Sequence, residues 1–427
     1  MGTYIVKHIA LVIAAAVLAI SFTVVLTTKL AGGEQGYRSL LGNAALPDGT
    51  TPAMDLSDNA AKRLDSLMEV SIRNQAFPGA AVSIGRANGP VLIKGYGYFT
   101  YDSKQAVTPT SQFDLASLTK VIATTTAVMK LYEEGRLDLD APVASYLPEF
   151  SRPDRDKITV RQLLTHSAGL IPFRPYHTLG LTTREQVIEA ILAEPLDYKP
   201  GTQVKYSDHG MILMALIVER ITGDDFATWT REHIFEPLGM LNTGFRPVGQ
   251  GGDNSVVPTE FDHLFRKRLV QGEVHDETAY LLGGTAGHAG LFSTAEDLTR
   301  FARMLLNNGR VGTTTFLKPE TIKLFTTRVT NLGEKNTRAL GWDTRSKEGY
   351  SSAGQLFGPQ SFGHTGFTGT SLWIDPDAGI FAILLTNRVY PTRDNSKIGP
   401  VRADLADLTY RTLVSDTPTS VSASATY

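Results

Sequence analysis

Strand-forming runs stand near both ends of this chain and helical runs fill its middle, so one sheet has to be assembled from segments far apart in sequence. Pro78–Gly85 and Val91–Tyr98 are β-branched and aromatic runs separated by Arg86-Ala-Asn-Gly-Pro90, which reads as a hairpin. Gln360–His364, Thr370–Ile374 and Gly379–Thr386 repeat that texture between Gly and Asp-Pro turns. Before the hairpin, Asp55–Asn74 places Leu56, Ala60, Leu64, Leu67, Met68 and Ile72 at a helical period, and a last helix is expected over Ile398–Leu413. Between these ends, residues 137–310 carry short helical patterns joined by Pro/Gly turns: Val160–Thr165, Thr183–Leu192, Met211–Ile221, Phe226–Ile234 and Ala295–Asn307. The expected fold class is α/β (α+β), an antiparallel sheet flanked by helices with an inserted all-helical subdomain at about 137–310 of a 55–413 domain. No repeat of fixed period is visible.

The N-terminus has a different character. Ile9 to Leu26 contains only Ser21 and Thr23 as polar residues and is flanked by Lys7, His8 and Lys29, long enough to span a bilayer as a helix. A cleaved signal has a shorter apolar stretch ending at a small-x-small site, and no clean Ala-x-Ala follows here. Residues 1–30 are therefore expected to be a transmembrane anchor, with a cleaved signal as the alternative. Either places the rest of the chain outside the cytoplasm, on a periplasmic, single-pass membrane protein or a secreted one. Residues 31–54 read as a linker and 414–427, rich in Ser and Thr, as a disordered tail.

Composition narrows the chemistry. The 41 Lys+Arg against 43 Asp+Glu leave a net charge of -2, with no basic run of five, which argues against nucleic acid as a partner. None of the 427 residues is cysteine, so disulfides, thiolate nucleophiles and Cys-held metals are excluded. A covalent nucleophile must be oxygen or nitrogen.

Ser117-Leu-Thr-Lys120 is the single Ser-x-x-Lys in the chain. Three residues apart on a helix, the two side chains share a face, and a buried lysine with a lowered pKa can take the serine proton. Ser117 falls at the expected start of a helix running to Glu134, with Gly135 as its stop, where free N–H groups favour an oxyanion. A capping serine beside a surface lysine would give the same tetrapeptide, but Phe113, Leu115, Leu118, Val121 and Ile122 make this neighbourhood apolar. Tyr206-Ser-Asp208 follows Pro200-Gly201 and precedes a helix, so Tyr206 is a candidate proton shuttle and, equally, a packing tyrosine beside a capping Asp. Phe362-Gly-His364-Thr365-Gly366-Phe367-Thr-Gly-Thr-Ser371 has glycines that let a substrate approach the strand backbone, or that form a bulge.

Ser-x-x-Lys, a Tyr-x-Asn-like loop and a (Lys/His)-Thr-Gly strand, in that order, resemble the serine penicillin-recognising family, which holds DD-peptidases, class C β-lactamases and related esterases. Leu163–Leu170, Pro237–Thr243, Gly287–Asp297 and Leu385-Thr-Asn387 are similar to its class C-like branch, and Val274-His-Asp276 with Gly287-His-Ala-Gly290 resembles members linked to cell-wall turnover, including muramyl-peptide amidases. The resemblance covers about residues 55–413. It implies Ser117 as the acylated nucleophile, Lys120 as its activator, Tyr206 as the proton carrier, and the backbone N–H groups of Ser117 and Phe367 as the oxyanion hole. Asp208, His364, Thr365, Gly366 and Phe367 would face the substrate. Two positions depart from the family pattern. Asp208 stands for Asn and can only accept, and His364 stands for Lys and is cationic only part of the time near neutral pH. Both weaken a pocket for a substrate carboxylate, so wall peptides and muramyl amides rank first, small esters next and β-lactams third.

No cofactor is implied. A zinc hydrolase could be assembled from His209, His275, Asp276, His288 and His364, but no two of the nine histidines sit at i, i+3 or i, i+4 and no His-Glu-x-x-His occurs. His275 and His288 are expected instead to orient loops beside the cleft. A non-catalytic ligand sensor is the other alternative, against which Ser117 and Lys120 are both present.

Overall fold

The computed structural model describes residues 58–88, 91–246 and 255–415. The expected anchor at 1–30, the linker at 31–54 and nearly all of the tail lie outside these residues; among the described residues no helix is long and apolar enough to cross a membrane. Apart from Val311–Thr314, the described residues form one compact unit.

This unit is built on a six-stranded antiparallel sheet. Its strands are β1 (Gly79–Arg86), β2 (Val91–Gly97), β3 (Asp343–Thr344), β4 (Phe362–Thr365), β5 (Ser371–Asp375) and β6 (Ile380–Thr386), in the spatial order β3-β4-β5-β6-β1-β2. The sequence ends meet at the β1–β6 pair, where Ala80 stands opposite Thr386 and Ile84 opposite Ala382. Every residue of β6 is buried. That is why it reads as a continuous apolar run, without the alternation of a strand with one wet face.

Helix α1 (Asp58–Arg73) lays Leu64 and Met68, one turn apart, on one face of the sheet with Phe77, Val82, Ile84, Ala382 and Leu384. Leu405 on α5 (Ile398–Tyr410) joins the same cluster. Each such aliphatic side chain contributes about 1.5–3 kcal/mol by leaving water. The opposite face carries α4 (Ala295–Leu306), where a polar link, Ser83 Oγ to Thr299 Oγ1 at 2.6 Å, crosses the layer. The Thr294 side chain caps α4 by accepting from Asp297 N–H.

Two expectations are corrected. The stretch 137–310 is not all-helical. It also contains the short strands Gly244–Phe245, Phe261–Asp262, Arg268–Leu269 and Leu291–Ser293. Leu291–Ser293 pairs with both Phe113–Asp114 and Gly244–Phe245. Runs of two or three residues are too short to show a period. The helix expected over Ser117–Glu134 changes pitch twice, from a tight turn at Ala116–Leu118, through a wide turn at Lys120–Thr125, to the regular helix α2 (Thr126–Glu133). The Thr125 and Thr126 hydroxyls donate to the carbonyls five residues back, Lys120 and Val121, at 2.7 and 3.0 Å, and so favour the wide turn.

Candidate active site

Ser117 lies on the tight turn after Phe113–Asp114. Ala116 immediately before it has φ +47°, a region that costs energy for a residue with a Cβ. Asp114 compensates, its Oδ1 accepting the Ala116 N–H at 2.8 Å. The turn is also fastened to the segment after β4: Thr368 Oγ1 donates to the Asp114 carbonyl at 2.7 Å and Thr370 Oγ1 to the Leu115 carbonyl at 2.9 Å. Gly366 sits in this seam, where a Cβ would lie 2.4 Å from the Leu115 oxygen. Arg402 of α5 braces the segment after β4, donating to the Gly366 and Thr370 carbonyls at 2.6 and 2.9 Å. The strand motif and the Ser117 turn are thus one bonded unit.

Lys120 is fully enclosed, and its three N–H groups have three acceptors. Nζ stands 2.8 Å from Ser117 Oγ, 2.9 Å from the His288 carbonyl and 2.8 Å from Asp208 Oδ1. Burial pulls its pKa down, but the Asp208 carboxylate and Tyr206 outweigh burial and hold it above the ordinary lysine value. Lys120 is therefore a cation in the resting protein, where burial alone predicted a lowered pKa. Tyr206 lies with its ring centroid 4.9 Å from that ammonium. Burial of its hydroxyl pushes the pKa up, and contacts with Lys120 and Ser117 only partly offset this, so the phenol is neutral.

Asp208 opens helix α3 (Asp208–Thr222) and is turned to Lys120. His364, on β4 opposite Leu372, is buried and donates from Nδ1 to the Thr365 carbonyl at 2.8 Å. Burial, followed by the Arg338 and Lys120 charges, pushes its pKa down to about 3. His364 is consequently neutral throughout the physiological range, and the part-time cation expected there is absent. Its ring stands 5.8 Å from that of Tyr206. Thr365 is half-buried opposite Ser371, and Phe367 beyond Gly366 is half exposed.

Several neighbours escaped sequence reasoning. His166 packs its ring 4.7 Å from Tyr206 and accepts the Ser207 N–H at Nδ1, at 3.1 Å. Arg338 lies over the Tyr206 ring at 5.0 Å and pairs with Asp343 at 3.1 Å. His166 falls inside the quoted Leu163–Leu170 motif. Arg338 sits in a polar stretch with no period, and Asp114 looked like part of an apolar run. His209 is drawn aside to Tyr176 at 3.0 Å, and among the described residues no three His, Asp or Glu side chains are grouped to hold a metal ion.

The Beta-lactamase family model matches residues 60–407. A Bacillus subtilis (strain 168) protein named N-acetylmuramyl-L-alanine amidase is 31% identical, with 86% of this chain and 90% of the relative aligned. An Escherichia coli (strain K12) protein with the provisional name D-alanyl-D-alanine carboxypeptidase is 35% identical over 75% of this chain and 81% of its own. The octameric penicillin-binding protein homologue from Pyrococcus abyssi superposes with a TM-score of 0.64 at 25% identity, covering 83% of this chain and 79% of that one. A penicillin-binding protein homologue from Caulobacter crescentus shares the fold, with a TM-score of 0.67 at 22% identity over 83% of this chain and 98% of that one.

Proposed function

The chain belongs to the β-lactamase family of serine hydrolases, and on that premise we propose that it cleaves amide bonds of cell-wall muropeptides through an acyl-enzyme on Ser117. The observation that carries this reading is the bonding of Lys120, whose ammonium joins Ser117 Oγ at 2.8 Å to Asp208 Oδ1 at 2.8 Å.

In this reading Ser117 Oγ attacks the substrate carbonyl and its proton passes into the Lys120–Asp208 pair, which holds it only until the tetrahedral intermediate breaks down. The tetrahedral oxygen is taken by the N–H groups of Ser117 and Phe367. Tyr206, a neutral phenol beside both Ser117 and Lys120, carries the proton to the leaving amine. The pair is thereby back at its starting protonation in the acyl-enzyme; water then attacks the acyl carbon and gives a proton to the pair, and that proton is returned to Ser117 Oγ as the acyl C–O bond breaks. Ground-state charges support the substrate class. Lys120 is neutralised by Asp208, His364 is neutral and Arg338 is paired with Asp343, which favours a scissile amide within a muropeptide over one beside a free carboxylate. The names of the amidase and carboxypeptidase relatives point to the same class of wall peptide. The apolar run Ile9–Leu26 supports anchorage on the outer side of the cytoplasmic membrane, where such peptides occur.

The test compares kcat/KM of the full-length protein on a muramyl-tripeptide, a muramyl-pentapeptide, a p-nitrophenyl ester and a chromogenic cephalosporin. The expected order is muramyl peptide, ester, cephalosporin, with Ser117→Ala inactive on all and unlabelled by a fluorophosphonate. A cephalosporin preferred over both muropeptides would overturn the substrate class. Undiminished labelling of Ser117→Ala would overturn the nucleophile.

A further inference from the structure

His275 and Asp276 are adjacent in the chain, yet their bonds lead to opposite parts of the site. The His275 backbone N–H donates to Asp114 Oδ2 at 2.6 Å, and the other oxygen of that carboxylate holds the Ala116 N–H. Asp114 therefore ties the 275 segment to the turn that presents Ser117. The His275 side chain is fixed at its edge and useful on its face. Nε2 lies 2.7 Å from Glu260 Oε2, and Glu260 is clamped in turn by Arg393 at 2.6 Å. The ring face lies against Phe367, with centroids 5.7 Å apart and planes 28° from parallel. Arg388 sits 4.4 Å from the Phe367 ring centroid and donates from Nε to the Phe367 carbonyl at 2.8 Å. Phe367 is half exposed, so these two neighbours set its orientation.

Asp276 works in the other direction. Its Oδ1 accepts the Ala279 N–H at 2.7 Å and stands 2.9 Å from His288 Nε2. His288 is buried, and its carbonyl takes the third N–H of Lys120 at 2.9 Å. The carbonyl beside it is also held, because Thr124 Oγ1 donates to the Gly287 oxygen at 2.6 Å. Gly287 itself lies so close to α3 that a Cβ would stand 2.0 Å from the Met211 oxygen. The His288 carbonyl is thus aimed by three contacts on three elements, of which the Asp276 carboxylate is the charged one.

We infer that the His275-Asp276 dipeptide is a two-ended positioning element: His275 orients Phe367 for the oxyanion, and Asp276, through His288, orients Lys120 for the proton. The inference rests on the acyl-enzyme reading above. Loss of one oxyanion-hole donor costs roughly 100- to 1000-fold in kcat. A donor left in place but no longer aimed is expected to cost about 10- to 100-fold.

His275→Ala in the full-length enzyme should lower kcat by that factor with KM within about threefold. Its affinity for phenylboronic acid, whose tetrahedral adduct needs the oxyanion hole, should fall in parallel. His275→Phe keeps a flat face against Phe367 and should recover most of both. Asp276→Ala should slow acylation of Ser117 by a fluorophosphonate about tenfold or more, and Asp276→Asn should recover it, because its amide oxygen still accepts from Ala279 and His288. Should either alanine variant prove insoluble, His275→Leu and Asp276→Ser carry the same expectations. Rates are normalised to folded protein by circular dichroism. Alanine variants at the wild-type rate, or conservative variants as impaired as the alanines, overturn the inference alone. A wild-type enzyme unlabelled at Ser117 overturns the proposed function with it.

Discussion

Asp208 Oδ1 and Ser117 Oγ each lie 2.8 Å from Lys120 Nζ, so the carboxylate stands as close to the ammonium as the serine hydroxyl does. A lysine enclosed without such a partner would give up its proton, and here the carboxylate keeps it charged. In the proposed mechanism the proton acceptor is accordingly the pair, and substitutions that break the pair differ in kind from those that remove it.

Asp208→Ala removes the counter-ion of a buried ammonium, which must then be discharged or held unpaired, and is expected to destabilise the fold by up to roughly 3–5 kcal/mol, the usual cost of removing one partner of a buried pair. Replacing both partners, as in Lys120→Met with Asp208→Asn, removes the charge and the need for its partner together. That double variant should unfold at or above the wild-type temperature while turnover falls by about 1000-fold or more. Calorimetry beside a turnover assay checks both, and a double variant less stable than Asp208→Ala would refute the argument.

His364 gives a stability prediction with a definite sign. Burial first, and then Arg338 and Lys120, lower its pKa to about 3, whereas an unfolded histidine titrates near 6.5. Below about pH 6.5 the unfolded chain binds a proton that the folded one refuses, so this histidine's contribution falls by about 1.4 kcal/mol per pH unit down to about pH 3. Between pH 7 and 5, His364→Gln should lose about 2 kcal/mol less stability in urea than the wild type. Its kcat/KM profile should keep the wild-type limbs, since His364 carries no proton to lose in that range. Equal pH slopes for the two proteins would contradict a neutral His364.

Chelation separates the serine route from the zinc alternative that nine histidines suggested. Lys120 already spends its three N–H groups on oxygen acceptors, and acyl transfer through Ser117 requires no Lewis acid. Dialysis against EDTA should leave kcat/KM unchanged within error. An activity lost on chelation and restored by zinc would refute the assignment of Ser117.

What could be read from the sequence follows from what has a period or a short-range geometry. The i, i+3 spacing of Ser117 and Lys120 and the apolar run of β6 are local, and the structure has both. The charge state of Lys120 is not local. It is set by burial against Asp208 and Tyr206, which reach Lys120 from a separate part of the chain. Sequence alone places Asp208 toward substrate, and only the fold shows its carboxylate paired with the lysine. His364 was taken as a partial cation because its residue type says so, whereas its burial and two neighbouring cations decide otherwise. Asp114 stayed hidden because a two-residue strand leaves no pattern, and its partners Ala116 and His275 meet only in the fold.

Gly366 tests whether the strand motif and the Ser117 turn act as one unit. A Cβ at this position would stand 2.1 Å from Thr370 Oγ1 and 2.4 Å from the Leu115 oxygen, the two atoms whose own bond of 2.9 Å closes the seam. Gly366→Ala must therefore push the end of β4 away from Ser117, taking the Phe367 N–H out of register with the Ser117 N–H. Removing one such donor costs roughly 100- to 1000-fold, so kcat should fall at least 100-fold with KM changed much less. Gly379→Ala supplies the control. Gly379 has φ +66° with no neighbour within 4 Å of a Cβ, so alanine there adds about 1 kcal/mol of backbone strain and leaves turnover intact. Stopped-flow acylation of both variants distinguishes the cases, because a Gly366→Ala enzyme that acylates at the wild-type rate would mean that the seam does not set the oxyanion geometry.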